Sequence, residues 1–353
     1  MRHGRLLVGL ALIAAFAAGC GGGGQAEGGQ AGTPSKSSRP KPKRAAFKMP
    51  PTATDGVSVT VEGYEDPADL GIVMAEQRGF FEDAGIRVWV GAPVRPSRPV
   101  YYVSSRVDDV GVAQLPQVAI AKEQGAPIVA IGSLVSQPTT AMIWLKGSKV
   151  HTLADLKGKT IAIPGVAYQK RFLASLLARA GLTLEDVHLK QVGYELVRDL
   201  LRGQADAIFG GSWNLEGAEL EERGAKPVIT RMQSFGAPSY EELVVIVRKD
   251  LAAEYPSFMQ AFMSAIVRGA DAAVRNPKAA LKAMEEADET SVEIGPRVTE
   301  AQVEATLPLL SRTARIDPGK ASALVGWMNE QGLIRKKLAV SELLTNDYLA
   351  TRP

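Results

Sequence analysis

The chain has 353 residues, 46% hydrophobic and 22% charged, which is ordinary usage for a globular protein and enough for roughly two domains of about 150 residues each. The net charge of +3 is unevenly spread: residues 1–50 hold eight Lys or Arg against one acid, Glu27, and the rest of the chain holds 33 basic and 37 acidic residues, a net of −4. A mildly acidic body has no electrostatic reason to seek a phosphate backbone, so nucleic acid is excluded as a partner, and the lone cysteine, Cys20, excludes an internal disulfide, a CxxC redox pair and a Cys-based zinc site.

The N-terminus reads as a targeting segment. Arg2 and Arg5 precede an apolar run of 13 residues, Leu6–Ala18, which fits a secretory core and falls short of the roughly 20 residues needed to span a bilayer. Ala17, Ala18 and Gly19 then lead into Cys20, an arrangement that resembles a bacterial lipobox, although Ala17 stands where leucine is commonest. The resemblance implies a signal peptide over residues 1–20 and a lipid carried by Cys20, which would anchor the protein to the outer face of the bacterial cell membrane. Residues 21–54 are rich in Gly, Ser, Pro and Lys and hold too few apolar side chains to offset the entropy of ordering. They are expected to form a flexible tether, with Lys36, Arg39, Lys41, Lys43, Arg44 and Lys48 available to anionic lipid.

From residue 57 short apolar runs alternate with helical periodicity, which predicts an α/β architecture with largely parallel sheets. Strands are expected at Val57–Val61, Ile86–Val90, Val110–Ala113, Pro127–Val135 and Ala141–Leu145, with helices at Asp69–Phe81 and Leu115–Gln124. Thr152 with Asp155 reads as a capping box. A strand follows at Thr160–Ile163, and then a helix at Tyr168–Ala180 carrying Leu173, Leu176, Leu177 and Ala180 on one face and stopped by Gly181. Val187–Val192, Ala205–Phe209 and Pro227–Thr230 read as strands, and Glu195–Arg202 and Trp213–Arg223 as helices. Leu243–Val247 is wholly apolar, a strand buried on both faces. Beyond Leu251 the chain reads as helical: Phe258, Phe262, Ile266 and Ala270 share a face, and Pro277 opens another helix where its missing N–H costs nothing. The helical tail is expected to complete the first of two lobes, with lobe one at 55–140 and 240–353 and lobe two at 141–239; no internal repeat is visible.

In open α/β sheets ligands sit beyond the carboxyl ends of the strands. That rule selects Tyr64 after the first strand, Gln114 after the third, Gln137 after the fourth, Tyr168 across the Pro164–Gly165 turn, Tyr194, and the trio Trp213, Asn214 and Glu216. Trp213 and Glu216 lie three apart at the expected start of a helix and would face one side of its first turn, where a flat heteroaromatic ring would stack on Trp213 or Tyr64 and donate from an amine to Glu216. The bland alternatives are dipole complementation by Glu216, packing by the aromatic rings and turn hydrogen bonding by the two glutamines.

Several segments resemble one family: GFFEDAG at Gly79–Gly85, TLADLKGK at Thr152–Lys159, LLRGQADA at Leu200–Ala207 and FGAPSYEEL at Phe235–Leu243. Together they look like the periplasmic binding proteins for thiamine pyrimidines, nitrate, sulfonates and taurine, over about residues 57–285. The stretch GSWNLE at Gly211–Glu216, followed by FGAPSYEEL, resembles the pyrimidine-binding branch more narrowly. The resemblance implies a two-lobed type II periplasmic-binding fold with a helical C-terminal part, a small-molecule ligand in the cleft, and delivery to an ABC permease and its ATPase by a monomeric binding protein without a cofactor. Eukaryotic relatives of this branch make the pyrimidine themselves with a cysteine-rich motif; this chain has no cysteine after position 20.

The expected ligand is an aminopyrimidine thiamine precursor. Rivals are a riboflavin-type ligand, a sulfonate, taurine or nitrate held by Arg95, Arg98 or Arg171, an enzyme on the same two-lobed fold, and a purely structural lipoprotein. Gly158-Lys159-Thr160 lacks the glycine at 153 that a P-loop needs, no Gly-x-Ser-x-Gly elbow exists, and His151 and His188 have neither metal spacing nor a carboxylate nearby in sequence, so no metal site or enzyme activity is expected. Replacing the lipid acceptor, Cys20→Ala, is expected to shift the protein from the membrane to the soluble fraction on cell fractionation.

Overall fold

Ten apolar runs find partners and become strands, in two sheets of five. The computed structural model describes residues 47–51, 55–91, 98–287 and 295–350; Cys20, the signal segment, Arg95 and most of the expected tether lie outside the described residues. Phe47 and Met49, assigned to that tether by the composition around them, pack on the body, with Phe47 6.2 Å from the ring of Phe258. Lys48, expected to be free for lipid, lies 4.9 Å over the Tyr255 ring and 3.6 Å from Glu254.

The first sheet contains β1 (Val57–Thr60), β2 (Val88–Gly91), β3 (Val110–Gln114), β4 (Ile128–Val135) and β10 (Leu243–Arg248), in the order β2-β1-β3-β10-β4. The second contains β5 (Thr140–Leu145), β6 (Thr160–Ile163), β7 (His188–Gln191), β8 (Ala207–Ser212) and β9 (Pro227–Arg231), in the order β7-β6-β8-β5-β9. The two orders are the same once the strand arriving from the other sheet is set aside, β10 in the first and β5 in the second. The chain passes between the sheets twice, at residues 136–139 and at residues 232–242.

The expectation of largely parallel sheets is corrected. β1 pairs in parallel with β2 and β3, and β6 with β7 and β8, but β10 runs antiparallel to β3 and β4, and β5 runs antiparallel to β8 and β9. The reason is topological: each crossing strand enters its new sheet from the edge at which its neighbours finish, so it must run against them. β10 is nevertheless buried along its whole length, as the apolar run Leu243–Val247 requires, and its last residue, Arg248, is buried with it.

Most expected helices are found. The stretch expected as one helix at Asp69–Phe81 is two, α1 (Leu70–Gln77) and α2 (Phe80–Asp83), divided at Gly79, whose φ of 71° no helix accommodates. α3 (Arg98–Ser104) was not foreseen. α4 (Leu115–Glu123), α5 (Ala167–Ala178) and α6 (Leu196–Leu201) follow their predicted positions. The helix expected from Trp213 begins at Glu216 instead (α7, Glu216–Glu222), because β8 runs on to Ser212 and a turn separates the two.

The tail is helical: α8 (Lys249–Glu254), α9 (Pro256–Arg275), α10 (Pro277–Ala287), α11 (Pro296–Thr306), α12 (Pro318–Glu330) and α13 (Val340–Leu343). In α9, Phe258, Phe262, Ile266 and Ala270 are all buried, the first three in the core cluster of the first sheet, and Phe81 stacks on Phe262 at 5.2 Å. α10 packs on α1, and α11 on α10. α12 and α13 rest on α4, while Trp327 of α12 meets Phe172 of α5 edge-on at 5.2 Å and Arg171 donates to the Leu333 carbonyl at 2.7 Å. The tail thus touches the helices of both sheets. Among the described residues no helix is long and apolar enough to cross a membrane.

The tightest helix contact is α1 on α9. A methyl group at Gly269 would sit 2.0 Å from the Gly71 carbonyl oxygen and 2.8 Å from the Ala75 nitrogen, both backbone atoms that cannot turn aside. Gly269→Ala is therefore expected to force the two helices apart and to destabilise the protein by about 1–3 kcal/mol in urea unfolding.

Candidate functional site

The carboxyl ends of β1, β3, β4, β6, β7 and β8 converge, with both crossovers, on one cavity of about 100 Å³. The first sheet contributes Glu62 and Tyr64 after β1, Gln114 at the end of β3, and Leu243 at the start of β10. The second contributes Tyr194, Ser212, Asn214, Glu216 and, from the start of α5, Gln169. Thr139, Thr140 and Glu242 come from the crossovers and their ends.

Of the eight residues selected from sequence, five line this cavity: Tyr64, Gln114, Tyr194, Asn214 and Glu216. Tyr64 and Tyr194 come from opposite sheets and meet edge to face, 5.2 Å apart at 85°. Three others do not line it. Gln137 is exposed in the first crossover. Tyr168 is buried with its ring against Phe172 at 5.1 Å; it borders a separate groove beside α3 and α4, and burial, with the charges of Glu242 and Glu62, pushes its hydroxyl pKa well up. Trp213 donates its indole N–H to the Pro138 carbonyl at 3.3 Å and lies 3.8 Å beneath the Arg231 guanidinium. The expected pairing of Trp213 and Glu216 on one helical turn fails because only Glu216 is on the helix.

Of the carboxylates, the sequence pointed to Glu216 alone. Among the described residues five line the cavity, Glu62, Asp66, Asp69, Glu216 and Glu242, and no Lys, Arg or His does. The missed signal lay in the segment after β1, where Glu62, Glu65, Asp66 and Asp69 crowd eight residues. Asp66 caps the short helical turn Pro67–Asp69 and accepts from the Ala68 N–H at 2.6 Å, a local motif that also folds this acidic segment back toward the strand ends.

Three carboxyl groups of the cavity wall resist ionisation. Burial raises Asp69 well above the usual carboxylate range, and Asp66, Glu65 and Glu62 raise it further. Burial likewise lifts Glu216 to about 7, with Glu219 and Asp66 adding to it, against the stabilising N–H of Ser212, which reaches its carboxylate at 2.6 Å. Glu242 is raised by burial although the Thr139 N–H at 3.0 Å and the Thr140 hydroxyl at 3.2 Å hold it. Burial and the charges of Glu62 and Asp66 push the Tyr194 hydroxyl upward as well.

Several buried acceptors in the cavity wall have no donor among the described residues: Gln114 Oε1, Gln169 Oε1, Asn214 Oδ1 and Asp69 Oδ1. Two of the amides cannot turn to hide them. Gln169 gives its Nε2 to the Gly210 carbonyl at 3.0 Å, and Asn214 gives its Nδ2 to the Thr306 hydroxyl at 2.7 Å. Desolvated acceptors of this kind call for N–H or O–H donors from a ligand. Chemically the site is an acceptor-rich, cation-favouring pocket with two tyrosines at its edge.

The chain was compared with known proteins. The family described as NMT1/THI5 like matches residues 66–280. The formylaminopyrimidine-binding protein of Halalkalibacterium halodurans is 28% identical over 232 residues, 66% of this chain and 70% of that protein. The 4-amino-5-hydroxymethyl-2-methylpyrimidine phosphate synthase of Uromyces fabae is 30% identical over 237 residues, 64% of this chain and 69% of the relative. Among solved structures, the alkanesulfonate-binding protein SsuA of Xanthomonas axonopodis pv. citri bound to MOPS superposes with a TM-score of 0.64 at 18% identity, covering 82% of this chain and 98% of that one. That likeness shows the α/β, two-lobed periplasmic-binding fold.

Glu216 makes the ligand-free protein pH-sensitive. A carboxyl group raised in the folded state from 4.5 to about 7 holds a proton that the unfolded chain releases, so its stabilising effect is complete below pH 4.5 and is lost as pH climbs through 7. Glu216→Gln is expected to leave thermal unfolding unchanged near pH 4.5 and to stabilise the protein at pH 8 by roughly 3 kcal/mol at most. With more than half its length matched, the chain belongs to the NMT1/THI5-like family.

Proposed function

We propose that this protein is the extracytoplasmic solute-binding component of an ABC importer and that it captures an aminopyrimidine thiamine precursor. The observation that carries the reading is the lining of the cavity among the described residues: five carboxyl groups, no basic side chain, and three amide oxygens that lack donors there. An exocyclic amine and a protonated ring nitrogen supply the donors and the positive character such a wall lacks. Tyr64 and Tyr194 offer aromatic edges to a flat ring. Glu216 is the proposed amine acceptor, with Gln114 and Asn214 receiving further N–H groups. A relative is named for binding a formylaminopyrimidine, which supports the same ligand class.

The rival ligands fit less well. A sulfonate or nitrate needs cations; Arg98 instead lies 5.6 Å from the Tyr101 ring, and Arg171 is spent on the Leu333 carbonyl. A riboflavin-type ligand needs a pocket nearer the roughly 300–1,000 Å³ typical of drug-sized ligands than the present cavity of about 100 Å³. A synthase activity, named for a relative, is the second reading. Among the described residues, the lining includes no Lys, His or Cys to serve as a nucleophile or imine former, which weighs toward binding.

In this proposal residues 1–20 are a lipoprotein signal and Cys20 carries the lipid, residues 21–54 chiefly tether, and lobes at 55–140 with 240–353 and at 141–239 close on the ligand as a monomer and deliver it to a permease and its ATPase. Thermal shift tests the ligand. Stabilisation by 4-amino-5-hydroxymethyl-2-methylpyrimidine, and none by taurine, nitrate or riboflavin, is the expected result. Absence of any shift with pyrimidines overturns it. Glu216→Ala is expected to weaken pyrimidine binding about tenfold or more by calorimetry, since a ligand amine loses its buried partner.

A further inference from the structure

We propose that Asn214 couples ligand capture to closure of the cleft, with its amide nitrogen latching helix α11 and its amide oxygen receiving the ligand. This rests on the binding role proposed above.

The latch is fully buried. Asn214 is 1% exposed, Thr306 0% and Gln302 6%. Asn214 and Leu215 belong to the turn between β8 of the second sheet and α7, and α11 packs both on α7 and on α10, which packs on α1 beside the first sheet. Asn214 Nδ2 donates to the Thr306 hydroxyl at 2.7 Å, and Gln302 Nε2 donates to the Leu215 carbonyl at 3.3 Å. These two bonds join the halves in front of the cavity.

The orientation of the Asn214 amide is set by chemistry. The Thr306 hydroxyl has one proton, and it goes to the Gln302 carbonyl at 2.7 Å. Its oxygen can then only accept, so the amide end facing it must be the nitrogen. The Asn214 oxygen is thereby turned to the cavity wall, where it is buried without a donor among the described residues.

That geometry links two events. Closing the latch without ligand desolvates an acceptor that nothing satisfies, which disfavours the closed form. A ligand N–H placed on Asn214 Oδ1 removes the penalty, so the ligand stabilises the state in which Nδ2 holds Thr306. Asn214 acts as a positioning residue for α11 and a ligand contact at once, and Thr306, which does not line the cavity, acts only through it.

The test uses Thr306→Val, which keeps shape and removes the hydroxyl, with Thr306→Ser as the conservative rescue. Binding of 4-amino-5-hydroxymethyl-2-methylpyrimidine to the full chain is followed by stopped-flow fluorescence. The proposal expects dissociation about tenfold faster in Thr306→Val, an unchanged association rate, and recovery in Thr306→Ser. Native dissociation in Thr306→Val overturns it, as does a loss confined to association. Should Thr306→Val fold poorly, Thr306→Ala replaces it, with the same expected rates. Failure of the unmodified protein to bind the pyrimidine rejects the ligand reading separately. Hydrogen exchange on the ligand-free proteins then decides the latch, which the unsatisfied Asn214 oxygen weakens without breaking: faster exchange of Thr306→Val confined to α7 and α11 supports it, and equal exchange overturns it.

Discussion

The Glu242 carboxylate ties the two crossovers together, and the position of the cavity depends on that tie. Thr139 and Thr140 lie where the chain enters the second sheet, and Glu242 lies where it returns to the first. With the Thr139 N–H on one oxygen and the Thr140 hydroxyl on the other, a single carboxylate fixes both passages side by side. Its neighbour Leu115 adds a bond from its N–H to the Glu242 carbonyl, which brings α4 into the same junction. A buried carboxylate is costly unless its lone pairs are met, so the junction tolerates little displacement.

From that junction the electrostatics of the cleft follow. Both sheets point the carboxyl ends of their parallel strands at the crossovers, and the residues found there are acids, amides and tyrosines. Packing several carboxylates into one desolvated space raises their pKa values together, as Asp69, Glu216 and Glu242 all show. The same crowding defines what relieves it, a ligand that brings N–H donors or positive charge. Structural likeness to a sulfonate-binding protein therefore concerns the scaffold, while the chemistry of the wall concerns the ligand.

The helical tail holds this scaffold from behind and in front. α9 covers the first sheet through a close helix contact at Gly269, and α12 bridges toward α5 through Trp327 and Phe172. α11 reaches across the front, packing on α7 and bonding to the turn after β8. One face of the molecule thus carries covalent crossovers and packed aromatics, and the other carries the packing of α11 with its two buried hydrogen bonds.

Much of the fold was legible in the sequence because local pattern determines it. The all-apolar run at Leu243–Val247, the Phe258–Phe262–Ile266–Ala270 stripe, the Thr152–Asp155 box and the Pro277 start each encode their own element. The strand-end rule found Tyr64, Gln114, Tyr194, Asn214 and Glu216 because the end of a strand can be read locally. What only the tertiary structure decided are facts about which segments meet. Strand direction in β5 and β10, and the repeated strand order of the two sheets, depend on the edge from which a distant segment enters. Trp213 went to packing and Glu242 to the crossovers because their partners, Pro138, Arg231 and Thr139, are remote in sequence or in another element. Periodicity reports how a residue faces its own strand or helix, and burial against a remote partner decides what that face does.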